Sequence, residues 1–247
     1  AGIERVLLSN ANIAQQIGNA NFNTTIQGGS GGQSYFALPV SLYSGEVATL
    51  WLVSRDQAGS VICDSAQGKY CTRAREITVC WGKPQTPSNS GTTPAIEIST
   101  YYAATPGDYS TVKVDRVTAE ANRGRRRNNR FDNANNSGCT LPDGTKYQFF
   151  KVLDFSAYGG GVYRNENGLQ VIRARMFYNT DVAHPIGFYI SRGAGGNVPQ
   201  QLPAQSDSIV SVGTAGEATR KVEVSRLFGS LPESLDVSLF SPGGIIK

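Results

Sequence analysis

About ten short apolar or alternating runs, each cut off by Gly, Pro, Asn or Ser, point this chain to a mainly β fold. SYFALPVSLY and EVATLWLVS flank Ser44-Gly45, a pairing that reads as a β-hairpin. In AIEISTYY, Ile96, Ile98, Thr100 and Tyr102 share one face of a strand, and Glu97, Ser99 and Tyr101 share the other. In LQVIRARMFY, Ile172, Ala174, Met176 and Tyr178 lie opposite Arg173 and Arg175. EITVCWG, STVKVDRV, KYQFFKVLDFSAY, IGFYIS, SIVSVG, TRKVEVSRLF and SLDVSLF complete the set. Short strands with turn residues between them predict an antiparallel β-sandwich-like domain.

The 247 residues suffice to bury a substantial core, and no internal repeat divides them. No run approaches the ~18–20 apolar residues that a membrane-spanning helix needs. The net charge of +4 is unevenly spread: positions 113 to 130 carry seven basic and two acidic residues, or +5, so the remainder is nearly neutral. Arg123, Arg125, Arg126, Arg127 and Arg130 fall in NRGRRRNNRFDNANNSG, which reads as a long loop. Such a cluster suits contact with a nucleic acid or an acidic glycan. A solvated loop, or a set of partners for carboxylates on a neighbouring subunit, is the simpler account. Tyr101, Tyr102, Tyr158 and Tyr163 suit either stacking on a ligand or packing within strands.

Cys63, Cys71, Cys80 and Cys139 are separated by seven, eight and fifty-eight residues. Structural zinc sites usually include a ligand pair two to four residues apart, and there is none here. Disulfides in an exported protein are the expectation. Of the three possible connectivities, Cys63 with Cys71 closes a loop through DSAQGKY. Cys80 with Cys139 then ties a strand end to the Asn-rich segment.

The chain opens with AGIERVLLSN, where Ile3, Val6 and Leu7 fall at helical spacing with no N-cap residue before them. This predicts the continuation of a longer helix that begins upstream. NANFNTTIQGGSGGQ then reads as a flexible connection. The expected organisation is a helix remnant and Gly-rich connection over 1–33, followed by one β-rich domain over 34–247.

Chemistry-bearing motifs are thin. Ser30, in GGSGG, matches G-x-S-x-G but lacks the strand-to-helix elbow that activates such a serine. His184, the single histidine, reads as a loop or strand-edge residue, and the carboxylates form no D-x-D or EF-hand cluster. No phosphate-cradling loop is present. The expectation is a protein with no catalytic residues, no metal and no cofactor.

Several segments taken in order carry a resemblance. AGIERVLL resembles the end of the long hydrophobic helix of PilX-type type IV pilus assembly proteins and related pilin-like surface proteins. ITVCWG with AIEISTYY, then SIVSVGTAGEATRKVEVSR, then DVSLFSPGG, resemble the β-rich extracellular part of such proteins. The resemblance implies an exported structural protein at the cell surface, held by its N-terminal helix in the membrane before assembly. It implies other pilin-like subunits as partners through Ile3, Val6 and Leu7. The hydrophobic span of the family is absent from this sequence. The competing expectation is a free-standing β-sandwich adhesin, or a module binding carbohydrate or a polyanion.

Overall fold

The computed structural model describes residues 12–17, 20–28, 31–56, 59–196 and 200–229. The expected helix, with Ile3, Val6 and Leu7, lies outside the described residues, as does the SLDVSLF run.

The strands are β1 (Asn12–Ile17), β2 (Ala20–Gly28), β3 (Tyr35–Ala37), β4 (Val47–Trp51), β5 (Ala74–Trp81), β6 (Ala95–Ala103) and β7 (Val112–Ala119). After helix α1 (Arg123–Asn129) come β8 (Cys139–Thr140), β9 (Lys146–Tyr147), β10 (Phe149–Asp154), β11 (Leu169–Phe177), β12 (Ile186–Gly193), β13 (Ser206–Ala215) and β14 (Ala218–Leu227). Two antiparallel four-stranded sheets, ordered β10-β5-β12-β3 and β4-β11-β6-β7, share one hydrophobic core, which is the expected sandwich-like arrangement. The alternation in the sequence reports that core directly. Ile96 and Ile98 of β6, and Ile172, Ala174 and Met176 of β11, are fully buried in it. Across from them lie Ile77, Val79 and Trp81 of β5 and Phe188 of β12. Burying each large apolar side chain contributes about 1.5–3 kcal/mol.

The first sheet is covered on its outer side too. Cys80 points away from the main core into a second cluster with Cys139, Leu141 and Tyr147, carried by the β8–β9 ribbon. Gly187 of β12 makes this possible. A Cβ there would come within 2.6 Å of the Tyr147 hydroxyl and 2.8 Å of Leu141 Cδ1. Both disulfides join the expected partners, Cys63 with Cys71 and Cys80 with Cys139. Their presence points to an oxidising, extracellular type of environment.

Three sequence expectations need correction. The turn at Ser44-Gly45 exists, with Gly45 at φ +93° and Glu46 N–H donating to the Tyr43 carbonyl at 3.1 Å, but it closes no hairpin. β3 and β4 lie in different sheets, so this segment crosses the edge of the sandwich. It is held there by reciprocal Leu42–His184 backbone bonds and by Gly45 N–H on the Met176 carbonyl.

The supposed flexible connection contains β2, which pairs with β1 and, over nine residues, with β13. The Thr24 and Ser211 hydroxyls, 3.0 Å apart, link β2 to β13 across the sheet. Together β1, β2, β13 and β14 form a third antiparallel sheet, in that order.

The supposed arginine loop contains α1. Asn122 caps it, its side-chain oxygen accepting from the Gly124 and Arg125 N–H groups, and Arg130 ends it in the left-handed region at φ +58°.

Candidate functional site

The arginines around α1 divide into two groups. Arg125 is turned inward: its Nη2 lies 2.8 Å from Oε1 of Glu120, a side chain with no solvent exposure. Its guanidinium also donates to the carbonyls of Gly91 and Thr93 and lies over the Tyr178 ring, 4.0 Å from the centroid. The same Glu120 oxygen accepts the Asn122 N–H at 2.8 Å, and Asn122 Nδ2 donates to the Ser90 carbonyl at 2.9 Å. Asn129 Nδ2 donates to the Tyr178 hydroxyl at 3.2 Å. Tyr178 is no longer on the core face that alternation assigned it. Its backbone turns left-handed at φ +71°, which delivers the ring to Arg125.

Arg125 is therefore a clamp between α1, residues 90–93 and the end of β11, and its charge is spent internally. Glu120, five residues upstream, is the functional partner that sequence reasoning missed. Arg126 is half-buried, whereas Arg123, Arg127 and Arg130 are exposed. Arg123 and Arg127 are one helical turn apart and Arg130 follows at the C-cap, so these three form a short positive edge. Nearby, Lys151 pairs with Asp132 at 3.2 Å.

The other residues singled out in the sequence serve packing. Tyr102 and Tyr158 stack with ring centroids 4.3 Å apart, and the Tyr158 hydroxyl donates to Asp115 at 2.9 Å. Burial, together with that carboxylate, raises the Tyr158 pKa well above that of an ordinary phenol. Tyr163 is buried in the main core. His184 is buried, and its Nδ1 accepts the Lys83 N–H at 3.1 Å. Burial, then the Lys83 ammonium, lowers its pKa, while Asp181 opposes this in part. Ser30 lies outside the described residues.

Among the described residues, no three His, Cys, Asp or Glu side chains are grouped to hold a metal ion. A cleft of about 230 Å³ runs beside β3, lined by Gln33, Tyr35, Phe36, Leu202, Pro203 and Gln205 among others. Its lining carries no carboxylate, histidine or thiol. No helix among the described residues is long and apolar enough to cross a membrane.

Fold and site together define a disulfide-bonded, mainly β protein with an internally clamped arginine helix. Comparison with family models, with curated proteins and with solved structures finds no match.

Proposed function

We propose that this chain is an exported structural protein, a pilin-like or minor-pilin-like component of a type IV pilus or related surface filament, acting without catalysis. The observation that carries the reading is the third sheet. β1 continues directly from AGIERVLLSNA and pairs with β2, which is bonded along a nine-residue ladder to β13 of the same sheet. In this reading, tension on an N-terminal anchor loads that ladder and then the paired segments leading into the sandwich, where Gly32 N–H donates to the Leu202 carbonyl and Leu202 N–H to the Gln33 carbonyl, both at 2.8 Å. The two disulfides suit a protein that works outside the cell. In this reading Ile3, Val6 and Leu7 bury their apolar side chains among the helices of neighbouring subunits, before assembly in the membrane and afterwards in the filament core.

The test is incorporation. In cells producing the protein, the unaltered chain should appear in filaments sheared from the surface. Leu7→Asp should remove it from that fraction while leaving it in whole cells. An unaltered chain absent from sheared filaments sinks the reading.

A second reading rests on the positive edge of Arg123, Arg127 and Arg130, which the Glu120–Arg125 pair leaves exposed. As a free-standing surface module, the protein would use that edge to hold an acidic glycan or another polyanion. Binding to a heparin column should then fall, and the salt dependence flatten, when all three are changed to Ala. Unchanged elution removes this alternative.

A further inference from the structure

We propose that the open edge of β14 pairs with β14 of a second copy, antiparallel about a two-fold axis through Val222, joining two four-stranded sheets into one. Among the described residues β14 has a single neighbour, β13. It is ten residues long, against a usual five or six, and its register with β13 runs unbroken over ten pairs. Other strands of the molecule carry register shifts, as between Leu169 and Val171 in β11 and between Ile190 and Gly193 in β12. β14 has no bulge, no proline and no internal glycine, three devices that commonly spoil an edge for pairing; a fourth, charge, it does carry, in Arg220, Lys221, Glu223 and Arg226.

Hairpin geometry fixes which backbone groups face outward. β13 and β14 are joined by the two-residue loop Gly216-Glu217, so the flanking pair Ala215 and Ala218 exchanges both of its hydrogen bonds. Even-numbered residues of β14 then bond to β13. Thr219, Lys221, Glu223 and Ser225 direct their N–H and C=O groups to the open edge.

Charge selects the register. A two-fold axis through Val222 sets Lys221 of each copy opposite Glu223 of the other, as hydrogen-bonded pairs. Moving the axis one residue either way sets Lys221 against itself or Glu223 against itself. The two side chains already lean together within one strand, with Nζ to Oε2 at 3.2 Å, and both remain more than half exposed. On the opposite face, Val222 and Val224 are 58% and 51% exposed. In the paired sheet the two Val222 residues meet at the axis. Each Val224 lies across from the partner's Arg220, whose aliphatic stem can cover it. Edge pairing of this size gives weak, concentration-dependent association.

Sedimentation of the full chain should show the mass rising with concentration from 26.4 kDa toward twice that value. Lys221→Glu alone and Glu223→Lys alone should each stay monomeric, because each sets like charges opposite one another across the axis. Mixing the two variants should restore the dimer, since an acidic strand then faces a basic one. The double exchange Lys221→Glu with Glu223→Lys should dimerise like the unaltered chain. Because all four proteins differ only at exposed positions, their thermal unfolding should coincide at concentrations low enough to keep every one of them monomeric. An unaltered chain that stays monomeric up to about 1 mM, a dimer that survives both single reversals, or a mixture that stays monomeric overturns the proposal. The measurement does not depend on whether the chain enters a filament, so the two proposals fail separately.

Discussion

Glu120, wholly buried, holds Arg125 at 2.8 Å, and this contact decides what the arginine-rich segment is. Breaking a buried pair from one side leaves the other charge without compensation, which costs about 3–5 kcal/mol. Arg125→Ala should accordingly lower stability by about 3 kcal/mol in urea unfolding. Arg127→Ala, on the exposed side of the same helix, should stay within about 0.5 kcal/mol of the unaltered protein. Equal effects at the two positions would contradict the division of the arginines.

Arg125→Lys separates charge from shape. Lysine keeps the positive charge but cannot reach Glu120, Gly91 and Thr93 together, and it loses the planar stack on Tyr178. Its stability should fall between those of the unaltered protein and Arg125→Ala. Full rescue by Lys would show that charge alone holds the clamp.

The two disulfides should differ in weight. Cys63–Cys71 spans a sequence separation of 8 and Cys80–Cys139 one of 59. Chain-entropy arguments give about 2.5 kcal/mol for the short loop and about 4 kcal/mol for the long one. The longer bridge also anchors the β8–β9 ribbon over β5 and β12. Replacing Cys80 and Cys139 together by Ser should therefore lower the unfolding midpoint more than replacing Cys63 and Cys71. The reverse order would contradict this assignment.

His184 makes stability depend on pH. Its folded-state pKa lies below the ordinary value near 6.5, so the fold holds it neutral and the unfolded chain binds its proton more readily. Its contribution is full above about pH 6.5 and declines as pH falls from there toward the lowered folded value. Unfolding free energies at pH 7.5 and 5.5 should differ more for the unaltered protein than for His184→Asn. Identical pH slopes would show that His184 does not carry this dependence.

Gly187 should resist enlargement. With Tyr147 and Leu141 within 3 Å of the position of its Cβ, Gly187→Val forces the β8–β9 ribbon off the sheet, at a cost of about 1–3 kcal/mol. Near-ultraviolet circular dichroism should show Tyr147 losing its fixed environment. An unchanged spectrum and midpoint would mean that the ribbon is not packed there.

What the sequence discloses depends on where the stabilising partner lies. β6 and β11 are legible because the core-facing side of each is apolar at every second position, Ile96 and Ile98 in one and Ile172, Ala174 and Met176 in the other, while the opposite side, although Ser99 and Arg173 are buried too, is largely polar. The presence of disulfides is legible in the even count of cysteines, but their pairing is not fixed by closeness, since Cys71 lies eight positions from Cys63 and nine from Cys80. β2 is hidden: Asn and Thr dominate it, and its main partner, β13, lies far along the chain, with Thr24 and Ser211 separated by 187 positions. The hairpin expected at Ser44-Gly45 fails for a related reason, since turn chemistry fixes a reversal of the chain without choosing which strands pair. Helix α1, seven residues long, is too short to be stable alone, so its helicity comes from Asn122, Glu120 and Tyr178 rather than from propensity. For the same reason five similar arginines in one segment gave no hint that Arg125 alone is spent inside the fold.

The proposed display of this β domain along a surface filament can be seen by immunogold electron microscopy of intact cells, with antibody raised against residues 31–229. Gold particles aligned along filaments that leave the cell are the expected result. Label spread over the envelope without filaments, or seen only after lysis, would contradict it.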